Sequence, residues 1–198
     1  MKKIFFSIIF LISLNGYSQS YGLGDKILSF TLKNINDNNL YNLSDNTDVK
    51  GITLIFTNNS CPYAKLYESR VIDLANEFKE KKVPFVFINS QPNSNLSDVE
   101  LSALAQYSSE HKITFPFLLD PQGLTSKKFG ASKIPECYVL KFINGSFVLF
   151  YKGAIDDNPQ TSSDVSNFYL KDAINSLLLN NPVKISERRP SGCMIPLN

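Results

Sequence analysis

The chain has 198 residues, with 20 basic and 18 acidic side chains, three cysteines, one histidine and no tryptophan. Lys2 and Lys3 are the only charges before Ser18, and without them the two signs balance. That balance gives no electrostatic case for nucleic acid as a partner, and the length suits one domain with a sizeable core behind a leader.

Met1-Lys2-Lys3 precedes a nearly unbroken apolar run, Ile4 to Leu14, followed by Asn15-Gly16-Tyr17-Ser18-Gln19-Ser20. A charged start, an apolar run short for a bilayer span and small residues beyond it predict a signal peptide over 1–18, cut after Ser18 or after Ser20. An uncleaved anchor is the plainer alternative. No cysteine lies near the cut to carry a lipid. A periplasmic or otherwise exported location is expected, with no stable membrane insertion after cleavage. Disulfides persist in such a compartment. The three cysteines, Cys61, Cys137 and Cys193, are an odd count, so at least one is free, paired between molecules or transiently paired.

In chain order, Leu28 to Leu32 and Leu40 to Leu43 read as a short hairpin across a polar stretch over 34–39. Gly51 to Phe56 reads as a buried strand. Pro62 opens a helix in which Tyr67, Val71, Leu74, Ala75 and Phe78 form one apolar face, ending near Lys82. Val83 to Ile88 reads as a second buried strand, with Pro84 at its entry. A polar loop over 90–97 leads to a helix over 98–110, for which Ser97 and Glu100 supply a capping box. Phe115 to Leu119 reads as a strand, Asp120-Pro121-Gln122-Gly123 as a turn, and Leu124 to Phe129 as a short helix. Cys137 to Phe142 and Ser146 to Tyr151 make a hairpin across Asn144-Gly145. A last helix is expected over 163–179, with Val165 and Phe168 on its apolar side. No periodicity marks the tail over 182–198, and Lys184 to Arg189, interrupted by Glu187, reads as a solvated segment. Strands alternating with helices, then a closing hairpin and helix, give an α/β sandwich on a mixed sheet.

Cys61 is the residue most charged with chemistry. It follows a strand and precedes the first turn of the Pro62 helix. Proline is tolerated at the first helical position because its missing N–H has no partner there anyway. The unpaired amides and positive dipole end favour a thiolate at Cys61, and the thiolate is the nucleophile. The competing reading is a buried, inert cysteine. Lys65 and Arg70 are candidate thiolate stabilisers, set against an ordinary solvated helix face. Cys137 reads as a core residue. His111, the lone histidine, reads as a surface residue after its helix. No metal site and no cofactor are expected.

Gly24 to Leu32, with Leu43-Ser44-Asp45 after it, resembles the entry segment of the alkyl hydroperoxide reductase/thiol-specific antioxidant superfamily. Cys61-Pro62-Tyr63-Ala64-Lys65-Leu66-Tyr67-Glu68-Ser69-Arg70 resembles the Cys-Pro-Tyr-x-Lys-x-Tyr-Glu-x-Arg pattern of a peroxiredoxin-like thioredoxin group. Ile88-Asn89-Ser90, Gly153 to Asp157 and the tail Arg189-Pro190-Ser191-Gly192-Cys193 resemble the same group. The resemblance implies a thioredoxin-like fold over 21–181: a central mixed sheet flanked by helices, with an N-terminal β-hairpin extension. It implies a cis peptide at Ile134-Pro135 facing Cys61, and a substrate edge formed by Pro62, Tyr63, Ile134 and Pro135.

Two departures shape the expected chemistry. The position three after Cys61, where dithiol thioredoxins have a second cysteine, is Ala64. The positions seven and three before it, where peroxiredoxins have proline and a peroxide-holding threonine, are Leu54 and Asn58. Thiol–disulfide exchange is therefore favoured over peroxide reduction. The expected partners are a protein or small-molecule disulfide or peroxide and an external thiol reductant. Cys193 is the candidate resolving thiol for Cys61, although pairing with Cys137 stays open. The reading from another class is a non-catalytic binding module of the same fold whose cysteines serve structure.

Overall fold

The computed structural model describes residues 20–90 and 96–196. The segment expected to be a signal peptide, residues 1–18, lies outside the described residues, as does most of the polar loop after Ser90. An eight-stranded sheet runs β2 (Leu40–Asn42), β1 (Thr31–Asn34), β5 (Phe117–Leu119), β4 (Phe85–Asn89), β3 (Gly51–Thr57), β7 (Glu136–Ile143), β8 (Ser146–Gly153) and β9 (Glu187–Arg188). Strands β3, β4 and β5 are parallel, whereas β7 pairs antiparallel with both β3 and β8. The mixed sheet and the N-terminal hairpin, which joins the sheet through β1 and β5, are those the resemblance implies.

Strand β3 is buried at all seven residues. A central strand covered on both faces needs a continuous apolar run, not alternation, and Gly51 to Thr57 supplies one. The β7–β8 hairpin turns at Asn144 and Gly145, both left-handed (φ 49° and 76°). Asparagine and glycine adopt that conformation at least cost, so this pair fixes the hairpin's register.

One face of the sheet is covered by α1 (Pro62–Lys79) and α4 (Tyr169–Leu178). Tyr67, Val71, Phe78, Leu170 and Ile174 pack there on Ile55, Phe85, Val139 and Cys137. The helix α2 (Asp98–Glu110) begins with the expected reciprocal cap between Ser97 and Glu100. The other face is covered by α3 (Leu124–Phe129) and by Ile27 from the entry segment, Leu43 from a short 3-10 turn and Ile195 from the tail. The Phe129 ring contacts Tyr138 and Phe56 with centroids 5.2 and 5.6 Å away, anchoring this layer.

Three expectations change. The first helix stops at Lys79, and β4 starts at Phe85, because Lys82 turns left-handed (φ 62°) and Pro84 has no N–H for the ladder. The last helix starts at Tyr169, not Ser163. Asp157 captures the chain before it: its carboxylate accepts from the Ser166 amide at 3.0 Å and from the Asn167 side chain at 2.7 Å. Val165 and Phe168 therefore lie before the helix, and Phe168 is exposed. The tail is also ordered. β9 lies parallel to the end of β8, and β10 (Cys193–Met194) pairs antiparallel with β6 (Lys133–Ile134).

Candidate functional site

The site forms where β3 ends and α1 begins. The Asn58 side-chain oxygen accepts from the Ser60 amide at 2.7 Å and the Ser60 hydroxyl at 2.6 Å, while the Cys61 amide donates to the Asn58 carbonyl at 3.2 Å. This tight turn sets Cys61 at the N-cap, with Pro62 in the first helical turn and no acidic side chain there to oppose a thiolate. The position where a peroxide-holding threonine is absent thus serves the turn instead. Leu54 is fully buried in β3.

Across from Cys61 stands the Ile134-Pro135 peptide, in the cis form. The Cys61 sulfur lies 3.3 Å from the Ile134 carbonyl oxygen. In the disulfide it has no proton to give, whereas a Cys61 thiol would donate to that oxygen. Pro135 is buried, Pro62 is exposed, and Tyr63 is half-buried against the same core layer.

Cys61 is bonded to Cys193, with an S–S distance of 2.07 Å and a sequence separation of 132. Cys61 is 4% exposed. Strand β10 brings Cys193 in: Cys193 pairs opposite Ile134, Met194 opposite Lys133, and the Ile195 amide donates to the Ser132 carbonyl at 3.0 Å. Strand alternation points Met194 outward and buries Ile195. Cys137 is free and fully buried; its sulfur donates to the carbonyls of Gly153 and Ala154 at 3.1 and 3.4 Å. Burial, helped by the negative Glu136, holds its thiol well above the ordinary range. The alternative Cys137–Cys193 pairing is therefore not the one formed.

Arg70 is engaged away from Cys61. Its guanidinium binds Asp156 at 2.6 Å and the carbonyls of Asn158 and Pro159 at 2.7 and 2.8 Å, and lies over the Tyr67 ring. The reason is reach: nine residues along the helix place it beyond the first turn, beside the 156–159 loop. The structure thus places Arg70, expected beside the Cys61 sulfur, as an anchor of the 156–159 loop. Lys65 stays in the first turn and is exposed. His111 caps α2, stacks on Tyr107 and pairs with Glu68.

Glu136 escaped the sequence reading. Its carboxylate is buried and accepts from the amides of Ser132 and Lys133 at 2.8 and 3.0 Å, and from the Tyr138 hydroxyl at 2.9 Å. It fixes the backbone before Pro135 from inside. An acidic residue beside a proline at the start of an apolar strand was the available signal, since a buried carboxylate needs donors.

A family model described as the AhpC/TSA family matches residues 23–157. A search of curated proteins finds no match. Among solved structures, an uncharacterized conserved protein of Geobacillus kaustophilus is 27% identical, with a TM-score of 0.78 and 88% of this chain and 91% of that one covered. A hypothetical protein of Sinorhizobium meliloti 1021 is 24% identical, again with a TM-score of 0.78, covering 91% and 97%. The exposed lipoprotein thioredoxin of Streptococcus pneumoniae is 18% identical, with a TM-score of 0.54, covering 77% and 99%. Those likenesses show a thioredoxin-like fold, and the match over residues 23–157, well over half of the chain, shows that this chain, with a cysteine at the helix start facing a cis-proline, belongs to the AhpC/TSA family.

Proposed function

We propose that the chain is an exported thiol–disulfide oxidoreductase in which Cys61 is the nucleophile and Cys193 the resolving thiol. The observation that carries this reading is the Cys61–Cys193 disulfide at the N-terminus of α1. In the reductive direction, Cys61 thiolate attacks a substrate disulfide, forming a Cys61–substrate disulfide and expelling one substrate thiolate. Cys193 thiolate then attacks the Cys61 sulfur and expels the second. The substrate gains two electrons, the enzyme retains the Cys61–Cys193 disulfide, and an external thiol resets it. Pro62, Tyr63, Ile134 and Pro135 border the sulfur and form the substrate edge. Export rests on the Lys2-Lys3 start and the apolar run after it; no helix among the described residues is long and apolar enough to cross a membrane.

Exchange is preferred to peroxide reduction because Asn58 is engaged with Ser60 and offers no hydroxyl to a peroxide. The test is turnover of a peptide disulfide with a thiol reductant in excess. Cys61→Ser should abolish turnover, while Cys193→Ser should accumulate the Cys61–substrate disulfide. Full turnover by Cys61→Ser overturns the reading and leaves the non-catalytic module with a structural disulfide.

A further inference from the structure

The tail does more than deliver a sulfur. It lies on the Ser132–Ile134 edge as a short antiparallel strand, in the register Cys193 opposite Ile134 and Met194 opposite Lys133, continued by the Ile195 amide on the Ser132 carbonyl. Its cysteine is disulfide-bonded to Cys61 in that register. The arrangement is that of a peptide caught as a mixed disulfide with the nucleophile, with the chain itself as the peptide. Its side-chain requirements are therefore legible.

Before the cysteine there is room only for glycine. A Cβ on Gly192 would lie 2.0 Å from the Ile134 carbonyl oxygen and 2.6 Å from its carbon. Both are backbone atoms of the edge itself, held from inside by Glu136, so the obstacle does not rotate away. After the cysteine, Met194 faces solvent at 67% exposure and carries no selectivity. Two positions after the cysteine, Ile195 is 5% exposed and joins the core layer that also contains Phe129, Ala131 and Ile134. A branched aliphatic side chain is buried there, where a charged one would lose its hydration.

Resting on the thiol–disulfide reading above, we propose that the tail is docked as a substrate strand. The clients are extended polypeptide segments that enter the Ser132–Ile134 edge antiparallel, with glycine before the reacting cysteine and a branched aliphatic residue two positions after it. The same backbone groups cannot pair with two strands at once, so the docked tail holds the edge closed to clients. The resolving step is then a strand exchange: as Cys193 attacks the Cys61 sulfur and the client thiolate leaves, the tail takes over the hydrogen bonds the client strand gives up.

The probe is the peptide Ser-Gly-Cys-Met-Ile-Pro with its cysteine capped as a thionitrobenzoate disulfide. Attack by Cys61 on the peptide sulfur joins the peptide to Cys61 and releases the coloured thiolate, with no net redox change. The full-length Cys193→Ser protein is compared with Gly192→Val/Cys193→Ser, whose tail is driven off the edge. The matched peptide should react about tenfold faster than peptides carrying valine for the glycine or aspartate for the isoleucine. Its rate should rise several-fold when the tail is displaced. Equal rates for the three peptides on Cys193→Ser alone overturn the register, whether or not the second variant folds. Equal rates on two folded proteins overturn the competition. A free aromatic disulfide reagent serves as reference: if Cys61 is inert to it as well, the nucleophile assignment fails instead of the register.

Discussion

Cys61 and Cys137 lie on opposite faces of one sheet. Cys137 faces the layer with α1 and α4, among Tyr151, Tyr169 and Ile55, while Cys61 packs on the other side with Phe56, Tyr138 and Ile134. Cys137 lies two residues after Pro135, but strand alternation along β7 sends Tyr138, not Cys137, to the face that holds Cys61. Two thiols close in the fold thus meet different environments.

A difference in reactivity follows. In the reduced protein, Cys61 at the start of α1 should alkylate at mildly acidic pH much faster than free cysteine. Cys137, buried and held as a thiol, should be untouched until the protein unfolds. Peptide mass mapping after a short iodoacetamide pulse at pH 6 checks both. A slow Cys61 would place it with the inert core cysteines and favour the binding-module reading.

The placement of Cys61 at a helix start, the cis-proline and the element order were legible because each rests on a local signal: a helix start after a buried strand, Ile134-Pro135, Asn144-Gly145, a capping box at Ser97. The start of the last helix was not. Val165 and Phe168 fit its apolar spacing, yet Asp157 holds Ser166 and Asn167 outside the helix. Propensity cannot see a carboxylate from another segment. The partner of Arg70 is hidden for the same reason, since Asp156 lies 86 residues away in sequence. The tail carries no periodicity because its order comes from β6, β8 and the disulfide, all remote from it.

Arg70→Ala should separate a loop anchor from a thiolate stabiliser. The Arg70 and Asp156 side chains are 15% and 4% exposed, and Asp156 also accepts from Tyr67 at 2.9 Å. Removing one partner of so buried a pair costs about 3 kcal/mol. Urea unfolding should show that loss, while the Cys61 alkylation rate in the folded protein stays at its wild-type value. A stable variant with a slowed Cys61 would restore the thiolate role.

Alkaline pH should weaken the fold. Burial raises the Cys137 thiol and, most strongly among their causes, the hydroxyls of Tyr67, Tyr138 and Tyr151. Below the unfolded values both states hold these protons, and stability is full. Above about 8.5 for cysteine and about 10 for tyrosine, the unfolded chain releases protons that the folded chain keeps. Stability then falls as pH rises. Urea midpoints of the oxidised protein should decline from pH 8 to pH 10.5, and Cys137→Ala should remove the earlier part of the decline. A flat profile would mean that these groups ionise in the folded state without penalty.

The second anchor of the tail is testable at Gly153. This residue has φ 124°, outside the range side chains favour, and a Cβ there would lie 1.8 Å from the Arg188 carbonyl oxygen. The same Arg188 carbonyl accepts from the Ala154 amide at 2.9 Å, and Lys152 pairs with Glu187 at 3.3 Å. Glycine at 153 therefore lets β9 lie against the end of β8. Gly153→Ala should cost about 2 kcal/mol from strain and displacement together. It should also detach the tail upstream of Cys193, leaving the disulfide as its main tether. Limited trypsin digestion reads this directly, because the Arg188–Arg189 bond lies at the lost contact; Pro190 protects the bond after Arg189. Cleavage there should become faster in the variant, and faster still after reduction. Unchanged cleavage in a folded variant would show that β9 does not depend on the β8 edge, and that the disulfide and β10 alone place the tail.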